Sequence, residues 1–94
     1  MNPIRIAFVC LGNICRSPTA EATFRVALAR AKVTHRFHVE SAGTGDWHVG
    51  GCADPRTVKA AKTRGVDLSR HRAQQFTAKD FARFDHVIAM DRAN

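Results

Sequence analysis

The sequence predicts an α/β fold, a three-layer αβα arrangement around a twisted parallel sheet of strand order 2-1-3, and three observations carry that expectation. An almost wholly apolar run from Ile4 to Val9 suits a central strand covered on both faces. The segments after it alternate between helix and strand patterns, reading β-α-β-α-α-β with no repeat, low-complexity stretch or linker. Right-handed crossovers then set the second strand on one side of the first and the third on the other. That order creates a switch point. Ligands in such sheets bind beyond the carboxyl ends of the strands at the switch, where the loop after Val9 lies.

Each element has its own signal. Arg5 is the one polar interruption of the first strand. Ser17 followed by Pro18 marks a helix start, with serine as the cap and proline where no N–H is needed. Ala20, Phe24, Leu28 and Ala31 then recur at helical spacing. Phe37, Val39 and Ser41 alternate with His38 and Glu40 as in a strand with two unlike faces, and Gly43, Gly45, Gly50 and Gly51 mark a surface loop. Asp54 and Pro55 repeat the cap-then-proline pattern, and Gly65 stands where a helix end favours a left-handed residue, so Arg56 to Arg64 is expected to be helical. Thr77 with Asp80 starts a further short helix through Phe81, and His86 to Met90 forms the last strand.

A chain of 94 residues makes one domain, residues 1–94, which buries only about two thirds of its unfolded surface and is expected to have a slim stability margin. It has no long apolar run and no charged segment leading an apolar stretch, which argues against a membrane span or signal peptide and for a cytoplasmic location. Its three cysteines fit no secreted disulfide framework, and the spacing of Cys10 and Cys15 lacks the paired ligands of a zinc site, so reduced thiols and no metal are expected. The net charge of +7 is densest at Arg30, Lys32, His35 and Arg36. A nucleic-acid partner is disfavoured, because aromatic residues do not interleave with these charges and no helix-turn-helix or finger spacing is present. A positive field also attracts phosphorylated ligands.

The chemistry concentrates in Cys10-Leu11-Gly12-Asn13-Ile14-Cys15-Arg16-Ser17, which joins the first strand to the first helix. A loop closing on a helix N-terminus turns backbone N–H groups inward and makes an anion site of phosphate size. The same field favours a thiolate at Cys10. Arg16 adds a planar fork suited to two phosphoryl oxygens, including those of a charge-rich transition state. Gly12 permits a tight turn and Asn13 tolerates a left-handed backbone, which lets the neighbouring amides converge. A Walker A loop is excluded, because its glycine-lysine end is absent. The placement, after an apolar strand and before a helix start, points to phosphate binding rather than to a cysteine that is merely buried.

At these residues the chain resembles the low-molecular-weight protein tyrosine phosphatases. The similarity continues through Glu40-Ser41-Ala42-Gly43-Thr44, Asp54-Pro55-Arg56, His71-Arg72-Ala73 and Ala89-Met90-Asp91-Arg92-Ala93-Asn94. The resemblance implies that Cys10 is the nucleophile, forming a phosphocysteine that water hydrolyses, that Arg16 holds the phosphate, and that Ser17 helps the thiolate leave in the second step. It implies a binding loop of Leu11, Gly12, Asn13, Ile14 and Cys15. It places Asn13, Ser17, Ser41 and His71 in a hydrogen-bonded group beneath that loop, and Trp47 on the rim, where its ring stacks on a phosphotyrosine. It also implies that Cys15 forms a reversible disulfide with Cys10, which spares the nucleophile from irreversible oxidation. Cys52 receives no role.

The expected partners are therefore phosphotyrosine-containing proteins, aryl phosphates and inorganic phosphate, with no cofactor. In the family an aspartate followed by proline, on a later loop, serves as general acid, and a fourth strand follows the third. The sequence stops at Asn94 before either, so it is expected to be truncated and to self-associate through an exposed sheet edge. Asp54-Pro55 reads as a helix start rather than as a substitute acid. Two alternatives share the loop: an arsenate reductase of related fold, which needs relay cysteines that do not follow Cys52, and a non-catalytic phosphate-binding module. A phosphotransferase carrying phosphate on cysteine is less compatible with an arginine-bearing loop.

Overall fold

A computed structural model describes residues 2–90. The Asp91-to-Asn94 end of the similarity lies outside the described residues. The elements are β1 (Ile4–Cys10), α1 (Arg16–Arg30), a 3-10 turn (Thr34–Arg36), β2 (Phe37–Gly43), α2 (Pro55–Lys62), a second 3-10 helix (Ala78–Arg83) and β3 (His86–Ala89). The three strands form one parallel sheet in the order β2-β1-β3, as the crossover argument requires. Ile4 lies opposite Phe37 and Cys10 opposite Gly43, so β1 and β2 end side by side. On the other edge Arg5 pins the register of β3: its N–H and guanidinium donate to the Asp85 carboxylate at 2.8 and 3.2 Å, and its carbonyl accepts from the Asp85 N–H.

Alternation along β1 separates two apolar faces. Phe8 turns toward α1, where Phe24 meets Phe8 and Phe37 edge-on at 5.8 and 5.6 Å. Ala7 and Val9 turn the other way and pack with Phe84 and Phe76. The layer on that second face is a 3-10 helix and the segment leading to it, not a full α-helix. Its start is the expected capping box between Thr77 and Asp80. α2 lies against α1 through a small cluster of Ala53, Ala61 and Leu68 with Ala22. Asp54 caps it, accepting from Thr57 N at 3.1 Å with Pro55 at the first position, and Gly65 closes it at φ +77.

The structure corrects four local expectations. Ser17 is not the cap of α1: the helix starts at Arg16, Cys15 holds the cap position, and the Ser17 hydroxyl is drawn instead to Cys10. Ala31 is exposed, because α1 ends at Arg30 and Lys32 turns left-handed at φ +61. The second helix is shorter than Arg56 to Arg64, since the chain turns after Lys62. β3 ends at Ala89 rather than Met90, although the Met90 N–H still donates to Val9 O. Every β3 residue is exposed, and among the described residues no strand pairs with its outer edge. No described helix is long and apolar enough to cross a membrane.

Candidate active site

β1 delivers Cys10 to the switch point, buried and at the mouth of the loop. Two contacts define its sulfur environment and shape the turn. The Asn13 backbone N–H donates to Cys10 Sγ at 3.2 Å, and Ser17 Oγ lies 2.9 Å from the same sulfur. Asn13 adopts φ +56, the left-handed conformation that asparagine tolerates, and this aims its N–H back at the sulfur.

The protons in this group have one consistent direction. The Gln74 backbone N–H can only donate, and it meets Asn13 Oδ1 at 2.9 Å, which identifies that atom as the oxygen. Asn13 Nδ2 therefore points at Ser17 Oγ and Ser41 Oγ, 2.9 and 3.0 Å away, and donates to both. With a proton already received from Asn13, the Ser17 hydroxyl has its own to give. Cys10 Sγ is its nearer acceptor at 2.9 Å, against 3.4 Å for the Ala42 carbonyl. Ser41 passes its proton outward to Glu21 Oε1 at 2.6 Å. Asn13 and Ser17 are completely buried and Ser41 nearly so, and no buried polar side-chain atom among the described residues lacks a partner.

Further contacts hold the loop from outside. His71 Nε2 lies 2.6 Å from the Asn13 carbonyl, and because a carbonyl only accepts, Nε2 carries the proton. The end of β2 lies directly beneath the loop. A Cβ on Gly43 would stand 2.8 Å from Leu11 O and 3.0 Å from Asn13 N, so only glycine permits this approach. Thr44 N donates to Cys10 O, Gly45 N to Leu11 O and Asp54 N to Ile14 O. The Thr57 hydroxyl lies 3.2 Å from the exposed Cys15 Sγ.

Cys10, Leu11, Gly12, Ile14, Cys15 and Arg16 line a shallow depression of about 260 Å³. Trp47 stands outside that lining, 70% exposed with its ring over Gly45. His48, which the sequence does not single out, packs its ring against Gly12, where a Cβ would meet Cδ2 at 3.0 Å. Cys52 is exposed on the same connection. Asp54, considered as a substitute acid, is engaged at the start of α2 through both Thr57 N and Thr57 Oγ1. Glu21 and the Gln74 N–H complete the buried group, and neither carries a sequence signal. No described cluster of histidine, cysteine and acidic residues is suited to hold a metal ion.

A parallel strand running through a cysteine into a tight loop, with an arginine opening the helix beyond, defines an α/β protein of the C-x5-R anion-loop class. The chain belongs to the low molecular weight phosphotyrosine protein phosphatase family, whose model matches residues 5–94. It is 48% identical over 92 residues to the Schizosaccharomyces pombe low molecular weight phosphotyrosine protein phosphatase, covering 97% of this chain and 58% of the relative. Among solved structures, a protein tyrosine phosphatase from Entamoeba histolytica with Hepes in its active site superposes with TM-score 0.93 at 40% identity, covering 97% of this chain and 58% of that one. YfkJ from Bacillus subtilis superposes with TM-score 0.96 at 39% identity over all of this chain and 59% of its own. The chain thus spans somewhat under two thirds of the length of these relatives.

Proposed function

We propose that this chain hydrolyses phosphate monoesters, with protein phosphotyrosine as the principal substrate, through a phosphocysteine at Cys10. The observation that carries the reading is the directed hydrogen-bond group at the loop, in which the Asn13 N–H and the Ser17 hydroxyl both face Cys10 Sγ. Two such donors hold Sγ in place, facing the mouth of the loop where phosphorus would sit. In the first step Cys10 Sγ bonds to phosphorus and the ester oxygen departs with its electron pair. In the second, water attacks phosphorus and the thiolate leaves, and the Ser17 proton stabilises the sulfur as charge returns to it. Arg16, at the rim, binds two phosphoryl oxygens, and the Leu11-to-Cys15 backbone supplies further donors.

The side chains of Asn13, Ser41 and His71 act by holding the loop rather than by touching phosphate. Trp47, exposed beside the loop, is suited to cover an aromatic leaving group. A cytoplasmic setting is part of the same proposal. The test is Cys10→Ser assayed with p-nitrophenyl phosphate, whose leaving group departs with little need of a proton. Turnover and the trapped phosphoenzyme are both expected to vanish, while inorganic phosphate still binds. Retained turnover means that Cys10 is not the nucleophile. Phosphate binding without turnover by the unaltered chain would instead favour a binding module.

A further inference from the structure

Asp54-Pro55-Arg56 opens α2, and the fold turns that helix into one wall of a second depression beside the anion loop. This groove, of about 360 Å³, is lined by Thr19, Arg56, Thr57, Ala60, Ala61 and Arg64. It shares a boundary with the first depression at Cys15: Thr57 Oγ1 lies 3.2 Å from Cys15 Sγ, and Thr19 Oγ1 donates to Cys15 O at 2.7 Å. Arg56, Ala60 and Arg64 recur every fourth residue, so they share one stripe along α2 and its closing turn. Small Ala60 between two arginines leaves the floor open.

The charge of this groove is uncompensated. Arg56 and Arg64 are exposed, and among the described residues neither has an acidic partner, whereas Arg5, Arg25 and Arg83 are all ion-paired. The one carboxylate at the start of α2, Asp54, is turned into the helix end by Thr57. Two unpaired guanidiniums beside an anion loop favour an acidic segment continuous with whatever the loop holds. From Arg56 to Arg64 the rise is roughly 12 Å at α-helical spacing. An extended peptide covers that distance in about three to four residues.

We propose that this groove is a specificity surface for the acidic side chains of a phosphopeptide whose phosphorylated residue sits in the Cys10–Ser17 loop. The proposal rests on the phosphate-loop reading above. The acidic residues engaged would lie about two to five positions from the phosphorylated one, the interval set by the length of the groove.

The experiment uses the unaltered chain and two peptides bearing a non-hydrolysable phosphonate analogue of phosphotyrosine, one flanked by glutamates at those positions on both sides and one by glutamines. Fluorescence anisotropy is expected to show the glutamate peptide binding roughly fivefold to tenfold tighter, the scale of two exposed ion pairs. In R56Q/R64Q that ratio should fall below about twofold. R30Q/R36Q removes the same charge from exposed positions at the opposite end of the sheet and should keep it. Equal losses in both double variants would mean a diffuse field of the whole basic chain and would overturn the groove. So would equal binding of the two peptides by the unaltered chain, or a single-stranded oligonucleotide that binds there while the peptides show no preference. If neither the peptides nor inorganic phosphate bind, the loop reading fails and the groove with it.

Discussion

Asn13 Oδ1 accepts a hydrogen bond from the Gln74 backbone N–H at 2.9 Å, a contact between residues 61 positions apart that orients the amide beneath the loop. Asn13→Asp keeps the shape but cannot donate to Ser17 and Ser41, and it brings a second negative charge near Cys10. The new carboxylate draws the Ser17 proton away from Cys10 Sγ, and loss of that one hydrogen bond to a charged sulfur costs roughly 1.5–3 kcal/mol, so turnover of p-nitrophenyl phosphate should fall roughly tenfold to a hundredfold. Ser17→Ala should mainly slow breakdown of the phosphoenzyme. Rapid-mixing kinetics separate the two steps, and an Asn13→Asp enzyme with full activity would remove the proposed role.

Gly43→Ala places a methyl group 2.8 Å from Leu11 O and 3.0 Å from Asn13 N, both backbone atoms that have little room to yield. Overpacking of this kind costs roughly 1–3 kcal/mol. Urea denaturation should therefore show a lower midpoint, and phosphate affinity should drop because the strain falls on the loop itself. Unchanged values for both would mean that the loop is more pliable than its contacts indicate.

Acid should destabilise the fold through carboxylates held below their ordinary values, Glu40, Asp80 and Asp85 among them. Burial raises the Glu40 carboxyl, but hydrogen bonds from His38 and Gln74, together with the Arg83 guanidinium, outweigh it and hold it below its ordinary value of 4.5. The Thr77 backbone N–H and Arg83 lower Asp80, and Arg5 lowers Asp85, both from 3.8. Depressed folded-state values mean that the stabilisation is full above the ordinary carboxyl range and is lost as pH falls through the folded values. Urea midpoints should thus decline progressively below about pH 4.5. Glu40→Gln should start lower at neutral pH and show a shallower acid decline. An identical decline would exclude Glu40 as a contributor.

Mild peroxide should abolish the proposed turnover reversibly. Peroxide oxidises the Cys10 thiolate to a sulfenic acid, and the Cys15 thiol then displaces water to form the Cys10–Cys15 disulfide, which an added dithiol reduces. In Cys15→Ser the sulfenic acid stays open to a second peroxide, which takes it to the sulfinic acid that thiols do not reduce, so the loss should become less reversible. Peptide mapping that finds Cys10 joined to Cys52 would refute the protective pair.

β3 presents Val87 and Ile88 at 37% and 41% exposure on a strand whose outer edge is unpaired among the described residues. Such an edge is a template for another strand. Sedimentation velocity should show concentration-dependent association of this chain, reduced by Ile88→Lys. A monomer at all concentrations would rule out pairing through this edge.

Much of the architecture was legible in the sequence because it follows from local chemistry. The apolar run of β1, the caps at Asp54 and Thr77, the left-handed Gly65 and the handedness of crossovers together imply the strand order that the sheet adopts. The Cys10-to-Ser17 loop stood out because its residue types and its place between strand and helix carry meaning before folding. The family resemblance, not the pattern, brought Ser41 and His71 into view. Only the tertiary structure decided what Ser17 does: as a helix start it looks like a cap, but burial beside Cys10 and Asn13 offers its hydroxyl stronger partners. The same holds for Gly43, whose missing Cβ matters because β2 ends under the loop, and for Gln74, which contributes a backbone N–H that any residue but proline possesses. Glu21 and His48 likewise acquire their places only when segments distant in sequence meet. Local sequence sets backbone preference and a side chain's chemical capacity, whereas the partner a buried polar group takes depends on which distant atoms the packed sheet brings within hydrogen-bonding distance.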